Sequence, residues 1–366
     1  MKLCFILGTR PEIIKLAPII RLARERNVPF FIIHTGQHYS YELDEIFFAE
    51  LDLPAPAYDL GIASGGSHLQ GEHTGRMLID IEKILLQERP DLVFVQGDTN
   101  TVLAGALAVR KLRTAPSYLT TKLCHVEAGL RSYDDTMTEE INRIVADQLC
   151  DYLFVPSDLA KLYLLREGIP GDRIFVTGNT IVDSVHHARS RMDASSILTT
   201  LGLAHGGYIL ATVHRQENVD DPERFRNILT SFDRVFAAHQ LPIIYSCHPR
   251  SKKMMERFGL SLSHGVRAII PVGFFDALRL QKHARLVMTD SGGIQEEASI
   301  LQVPCVTLRN NTERPETTMA GVNSVAGTDP DRILEAVNIM MEKSHEWRPL
   351  YGDGHAAEKI FGILGI

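Results

Sequence analysis

The stretch Asp290-Ser291-Gly292-Gly293-Ile294-Gln295-Glu296-Glu297 combines residue types and spacing suited to holding an anion. The apolar run Ala284 to Thr289 before it reads as a buried parallel strand, and Ile294 to Leu301 after it reads as a helix stopped ahead of Pro304. A strand, a Ser-Gly-Gly turn and a helix aim backbone N–H groups at one point, where phosphate binds. Glu297 lies about one helical turn inside and looks back at the turn. Phosphate would repel that carboxylate, but a ribose diol can donate two hydrogen bonds to it. An ordinary Gly-rich turn with a solvated helix face fits the same residues, since short Gly motifs recur by chance.

Other chemistry-bearing groups sit at comparable places. Gly8-Thr9-Arg10 follows the apolar run Leu3 to Leu7, Pro11 stands at a first helical position, and Arg10 and Lys15 bracket the first turns of that helix. Asp98 follows the strand Leu92 to Val95, and Glu127 follows the strand Lys122 to Val126. Both emerge at strand carboxyl ends, where open α/β sheets place ligands. Glu139 and Glu140 open a helix running to about Cys150, where acidic residues also answer the helix dipole. His214 ends the run Tyr208 to Val213.

The elements that must hold these groups alternate between strand and helix throughout, the pattern of a parallel α/β sheet. Phe30 to His34, Tyr152 to Pro156 and Arg173 to Thr177 add strands, and Ser67 to Glu88 is an amphipathic helix with Met77, Ile81, Ile84 and Leu85 on one stripe. The polar, small-residue-rich stretch 190–207 reads as a linker or variable region. A second series follows: Tyr208 to Val213, helix 222–239, Pro242 to Cys247, Val266 to Ile270, Cys305 to Leu308 and helix 330–343. Arg309 to Thr317 reads as an irregular charged segment, and a final helix from about His355 to Leu364 is expected to pack back on the first domain. The expected division is 1–178, joined by about 350–366, and 179–349.

With 366 residues, two domains are the prior. A net charge of −7 and a pI near 6.1 exclude the basic footprint of a nucleic-acid binder. Five widely spaced cysteines read as reduced thiols of a cytoplasmic protein, and Cys124-His125, adjacent on a strand, point to opposite faces and cannot chelate one metal. The chain opens on a strand at Lys2, so no signal peptide is expected, and no apolar run reaches membrane-spanning length.

Six motifs in order carry a resemblance: Gly8-Thr9-Arg10-Pro11-Glu12, Gly97-Asp98-Thr99, His125 to Arg131, His214-Arg215-Gln216-Glu217-Asn218, Asp290 to Glu297, and Thr312-Glu313-Arg314-Pro315-Glu316. Together they resemble the non-hydrolysing UDP-N-acetylglucosamine 2-epimerases over nearly the whole chain. The resemblance implies two Rossmann-like domains facing across a cleft, a glycosyltransferase-B-like α/β fold, with the nucleotide sugar bound between them. It implies reversible C2 inversion giving UDP-N-acetylmannosamine, a precursor of surface polysaccharides. A homodimer, no cofactor, no metal and no membrane or nucleic-acid partner are expected.

The C2 hydrogen of such a sugar is not acidic, because no carbonyl is attached there. Loss of UDP makes C1 cation-like and acidifies C2–H, so a carboxylate can remove it and leave a 2-acetamidoglucal; re-addition delivers the proton to the opposite face. By resemblance Asp98, Glu127, Glu139 and His214 are the catalytic groups. Arg10, Lys15, His214 and the Ser291, Gly292 and Gly293 amides hold the diphosphate, Glu297 takes the ribose, Arg314 contacts sugar or phosphate, and Phe274 lies near the uracil. Thr138-Glu139-Glu140 stands where many relatives read Pro-Glu-Glu, and of the pair Glu139 is taken to face the sugar. Gln37, His38, Arg215 and Glu217 fit part of a second-substrate site used by several bacterial relatives. Relatives acting on diacetamido-uronates or 6-deoxy sugars, and transferases of the same architecture, share much of this pattern.

Overall fold

The computed structural model describes residues 1–36, 41–62, 69–114, 117 and 119–366. The chain divides into two compact units, Met1–His186 with Tyr351–Ile366, and His187–Leu350. The division falls inside the helix Thr180–Ala194.

The first unit holds a seven-stranded parallel sheet among the described residues: β1 (Leu3–Leu7), β2 (Phe30–His34), β3 (Tyr58–Asp59), β4 (Leu92–Gln96), β5 (Lys122–Val126), β6 (Tyr152–Val155) and β7 (Ile174–Val176), in the order β3-β2-β1-β4-β5-β6-β7. Strands buried on both faces need continuous apolar runs, and Leu3-Cys4-Phe5-Ile6-Leu7 is buried at every position. The register pairs Gln96 of β4 with Val126 of β5, so Gly97-Asp98 and Glu127 leave the sheet side by side. Helices Gln70–Glu88, Asn100–Leu112 and Thr138–Leu149 also belong to this unit. The stripe Met77, Ile81, Ile84, Leu85 is buried as its spacing predicts.

The second unit repeats the plan with β8 (Ile209–Thr212), β9 (Ile243–Ser246), β10 (Val266–Ile269), β11 (Leu286–Thr289), β12 (Cys305–Thr307) and β13 (Asn323–Val325), ordered β10-β9-β8-β11-β12-β13 and parallel throughout. Thr212 of β8 pairs with Thr289 of β11, which brings His214 and Asp290 out together. Apolar clusters form around Phe225, Phe232 and Tyr245, and separately around Tyr208, Leu210 and Val287.

The stretch 190–207 is not a loose linker. The helix Thr180–Ala194 runs through its first part, Ile197–Leu201 forms another, and Ile197, Leu198, Leu201 and Leu203 pack on the cluster around Tyr208. Its apolar residues are few but consistently placed, and Ser195 donates to Asp276 at 2.5 Å. The chain-terminal helix Ala356–Leu364 belongs to the first unit. Asp183 accepts the N–H groups of Ala356 (3.2 Å) and Ala357 (2.9 Å), which caps it, and Ile360 and Phe361 are fully buried. All five cysteines are free, with Cys247 half-buried and the others buried. Among the described residues no helix is long and apolar enough to cross a membrane.

Candidate active site

In the first unit three loops at the carboxyl ends of β1, β4 and β5 carry the charge. Arg10 opens the helix Arg10–Glu25 and its guanidinium lies 4.6 Å from the ring centroid of Phe47, a cation–π contact. Glu12, one turn in, is buried and ties two loops together. It accepts from the Gly8 N–H (2.8 Å), the Thr9 hydroxyl (2.9 Å) and the Thr99 hydroxyl (2.6 Å). Burial raises its pKa to about 7, although the Thr99, Thr9 and Gly8 bonds pull the other way. Gly8 is required at this crossing, since a Cβ there would stand 1.8 Å from the Thr35 hydroxyl.

Asp98 follows Gly97, whose φ of +78° is a left-handed turn that suits glycine. Its carboxylate accepts from Arg143 through Nε (3.0 Å) and Nη2 (2.5 Å), and Asn142 holds its carbonyl at 2.9 Å. The side chain keeps 28% of its surface exposed, so it can still meet a ligand. Glu127 also has left-handed backbone, φ 69°, which is unusual outside glycine and is held by its surroundings. Its Oε2 takes the Lys15 ammonium and accepts from Gln96 (3.2 Å) and Asn179 (3.2 Å). Lys15, which the resemblance assigns to the diphosphate, forms a buried ion pair with Glu127 in this structure.

The two glutamates at the start of helix Thr138–Leu149 differ in surroundings. Glu140 is buried, accepts from the Ser132 N–H and hydroxyl (3.0 Å each) and the Tyr133 N–H (3.0 Å), and pairs with Arg143 at 2.5 Å. Those bonds fix the loop that follows Arg131. Glu139 is half-buried and makes none of those bonds. The helix buries Glu140, Asn142, Arg143 and Asp147 while Ile141 and Ile144 are exposed. Sequence reasoning missed Asn142, Arg143 and Asp147. Their signal was a polar face at helical spacing opposite an apolar one, which reads as a solvated face until the burial is known.

In the second unit the helix Gly292–Ile300 starts two residues earlier than its apolar pattern suggested. Ser291 caps it, accepting from the Ile294 N–H at 3.5 Å, and the first-turn amides of Gly292 and Gly293 have no intrahelical acceptor to reach. A Cβ at Gly292 would stand 2.3 Å from Oε1 of Glu313, so a larger residue there would have to displace that carboxylate. Glu297 is buried and accepts from Nε2 of Gln281 at 2.5 Å. Arg314, also buried, pairs through Nε with Glu296, and Arg309 pairs with Glu313 at 2.7 Å. The segment Arg309 to Thr317 is irregular only as far as Arg314, where the helix Pro315–Met319 begins, and its charged residues Arg309, Glu313 and Arg314 are buried and paired. Phe274 is fully buried beside Phe275, so its ring faces the interior of the structure.

His214 is placed by Asp290. The buried carboxylate accepts the N–H groups of His214 (3.0 Å) and Arg215 (2.9 Å) and the Asn218 amide (3.1 Å), and its Oδ1 lies 3.1 Å from Nδ1 of His214. Burial alone would raise the Asp290 pKa, but His214 and these donors outweigh it and hold the carboxyl below its ordinary value. An ionised carboxylate on Nδ1 leaves Nε2 of His214, on a side chain 41% exposed, to face a ligand. Arg215 and Glu217 lie in this unit, while Gln37 and His38 lie outside the described residues. Among the described residues no group of His, Cys, Asp and Glu is arranged to hold a metal.

A family model described as UDP-N-acetylglucosamine 2-epimerase matches residues 20–365. The UDP-N-acetylglucosamine 2-epimerase of Methanocaldococcus jannaschii is 49% identical over 100% of this chain and 99% of that protein. Its crystal structure in complex with UDP-GlcNAc and UDP superimposes with a TM-score of 0.93, covering 100% of this chain and 99% of that one at 49% identity. The UDP-2,3-diacetamido-2,3-dideoxy-D-glucuronate 2-epimerase of Pseudomonas aeruginosa is 40% identical over 100% of this chain and 99% of that protein.

Proposed function

This chain belongs to the UDP-N-acetylglucosamine 2-epimerase family, and from that premise we propose that it interconverts UDP-N-acetylglucosamine and UDP-N-acetylmannosamine by elimination and re-addition of UDP. The observation that carries the reading is the pair Asp98 and Glu127, carboxylates delivered by neighbouring strand ends and each gripped by a cation, Arg143 or Lys15.

The second unit holds the nucleotide. The diphosphate lies on the Gly292 and Gly293 amides at the positive end of the helix, with His214 and Arg314 adding donors, and Glu297 accepts the ribose hydroxyls. Gln281 keeps the Glu297 carboxylate turned in one direction. The first unit supplies the carboxylates that work on the sugar, and Arg10 is a cation for the departing phosphate. As the C1–O bond breaks, its electron pair leaves with UDP. One carboxylate takes the C2 proton, and those electrons form the C1–C2 double bond of 2-acetamidoglucal. A second group then delivers a proton to the other face of C2 while a UDP oxygen returns to C1. Asp98, Glu127 and Glu139 share these transfers. Glu139 is the member of the glutamate pair for this role, because the Glu140 oxygens already hold Ser132, Tyr133 and Arg143. Lys15 restrains Glu127 through their ion pair and so fixes the carboxylate beside a cation-like sugar.

The enzyme works as a cytoplasmic homodimer in this reading. The free cysteines support a reducing compartment, and the exposed Ile141 and Ile144 support a partner surface. A uronate substrate is the second reading, favoured by the similarity to the Pseudomonas aeruginosa enzyme. Incubation of each UDP-sugar in D2O tests both. The expected product from UDP-N-acetylglucosamine is its C2 epimer carrying deuterium at C2. An epimer free of deuterium refutes the elimination route, and turnover confined to the uronate moves the substrate assignment.

A further inference from the structure

His125 is fully buried and plays no part in the proton transfers above. Its Nδ1 lies 2.7 Å from Oδ1 of Asp147, and its Nε2 lies 2.8 Å from the carbonyl oxygen of Gly97. Asp147 also accepts from Arg131 (2.7 Å) and the Gly129 N–H (3.2 Å), as a carboxylate does. A carboxylate and a carbonyl only accept, so both ring nitrogens must donate, and a ring with two N–H groups is an imidazolium. Its charge is answered locally. Asp147 reaches it from the helix Thr138–Leu149, and Arg131, the other charged group beside it, is itself held by Glu167 through Nε (2.7 Å) and Nη2 (2.6 Å). Burial would push the ring toward neutrality, but Asp147 and the Gly97 carbonyl outweigh it and the His125 pKa stands above its ordinary value.

Consecutive residues of β5 grip both polar groups of Gly97. Its N–H donates to the Val126 carbonyl at 3.1 Å, and its carbonyl accepts from His125. The next residue is Asp98. We propose that His125 is a positioning residue for the epimerisation: as a buried imidazolium paired with Asp147 it locks the Gly97 carbonyl, and the locked turn sets the direction in which Asp98 meets the sugar. Asp147 also takes the Gly129 N–H, so one carboxylate ties together the turns that carry Asp98 and Glu127. The inference rests on Asp98 being an acid–base group.

His125→Phe tests it, because it keeps a flat ring of similar size and removes both N–H donors, which leaves the Gly97 carbonyl without this partner. The expected result is a kcat about 10²-fold lower with UDP affinity unchanged within about twofold, as for a misplaced catalytic group. His125→Gln, whose amide N–H can still donate to that carbonyl, is expected to recover part of the loss. A folded His125→Phe with wild-type kcat overturns the proposal, and so does one in which kcat and UDP affinity fall together. Histidine 15N spectra of the wild type, with His125 assigned by its loss in His125→Gln, give a readout that needs no turnover. Both nitrogens should show the protonated signature at about pH 8, where an ordinary histidine is neutral. A neutral His125 signal overturns the proposal even if neither variant folds. A wild type that does not interconvert the sugars refutes the function instead and leaves the spectrum to decide the charge.

Discussion

Glu12→Gln should change how stability depends on pH, and the amount follows from the site. The Glu12 carboxyl is buried, and its pKa rises from 4.5 to about 7 because burial outweighs three donors. Between those values the folded chain holds a proton that the unfolded chain has released. Stability therefore falls as pH rises through that window and levels off above it; the contribution is favourable on the acid side. The gap from 4.5 to about 7 corresponds to about 3 kcal/mol in full, of which about 2.5 kcal/mol is lost between about pH 5 and about pH 8. Glutamine occupies the same space and does not titrate. Its amide fits less well against the Gly8, Thr9 and Thr99 donors, which lowers stability by a pH-independent amount. The two unfolding-stability curves should therefore converge or cross as pH rises, with the wild type losing about 2.5 kcal/mol relative to the variant. Urea unfolding followed by far-ultraviolet circular dichroism at several pH values measures this. Parallel curves would show that Glu12 ionises normally in the folded state, and the burial argument would fail.

Asp98→Asn and Glu139→Gln should each lower kcat by about 10²–10⁴-fold with little change in UDP affinity, read by steady-state kinetics and calorimetry; full activity would remove that residue from the acid–base set. Glu297→Gln should raise KM while kcat holds, because a ribose contact is made equally in ground and transition states, and a selective loss of kcat would contradict that role. Glu140→Gln should cost about 3 kcal/mol of stability by loosening a buried ion pair and the loop it clamps, visible as a lower Tm, whereas Glu139→Gln should leave Tm nearly unchanged. Equal Tm losses for the two would erase the structural distinction between them.

The sheets were legible because parallel strands are written as apolar runs; β1, β2 and β5 fall where those runs lie. β3, two residues long at the sheet edge, has too little sequence to announce itself. The positions of Asp98 and Glu127 at strand ends were legible too, since a strand's end fixes where the next residue emerges. Their partners were not. Lys15 and Glu127 are far apart in the chain, and only the alignment of β1, β4 and β5 makes them neighbours. Asp290 was singled out by its motif, but its bond to His214 depends on the pairing of β8 with β11. The stretch 190–207 misled because its polar composition outweighed a sparse apolar pattern that packing makes decisive.

The first unit is assembled from both ends of the chain, with the second unit encoded between them. On the ribosome this imposes an order of events. Residues 187–350 carry every strand of their own sheet when they emerge, yet the N-terminal unit lacks its last helix until residues 351–366 follow. Until then Asp183 has no helix N-terminus to cap, and the surface that covers Ile360 and Phe361 stays open to solvent. The segment made first is thus completed last. A chain stalled or clipped before residue 356 would carry a finished C-terminal unit attached to an N-terminal one with an exposed apolar seam, the form of nascent chain that chaperones retain and proteases clear.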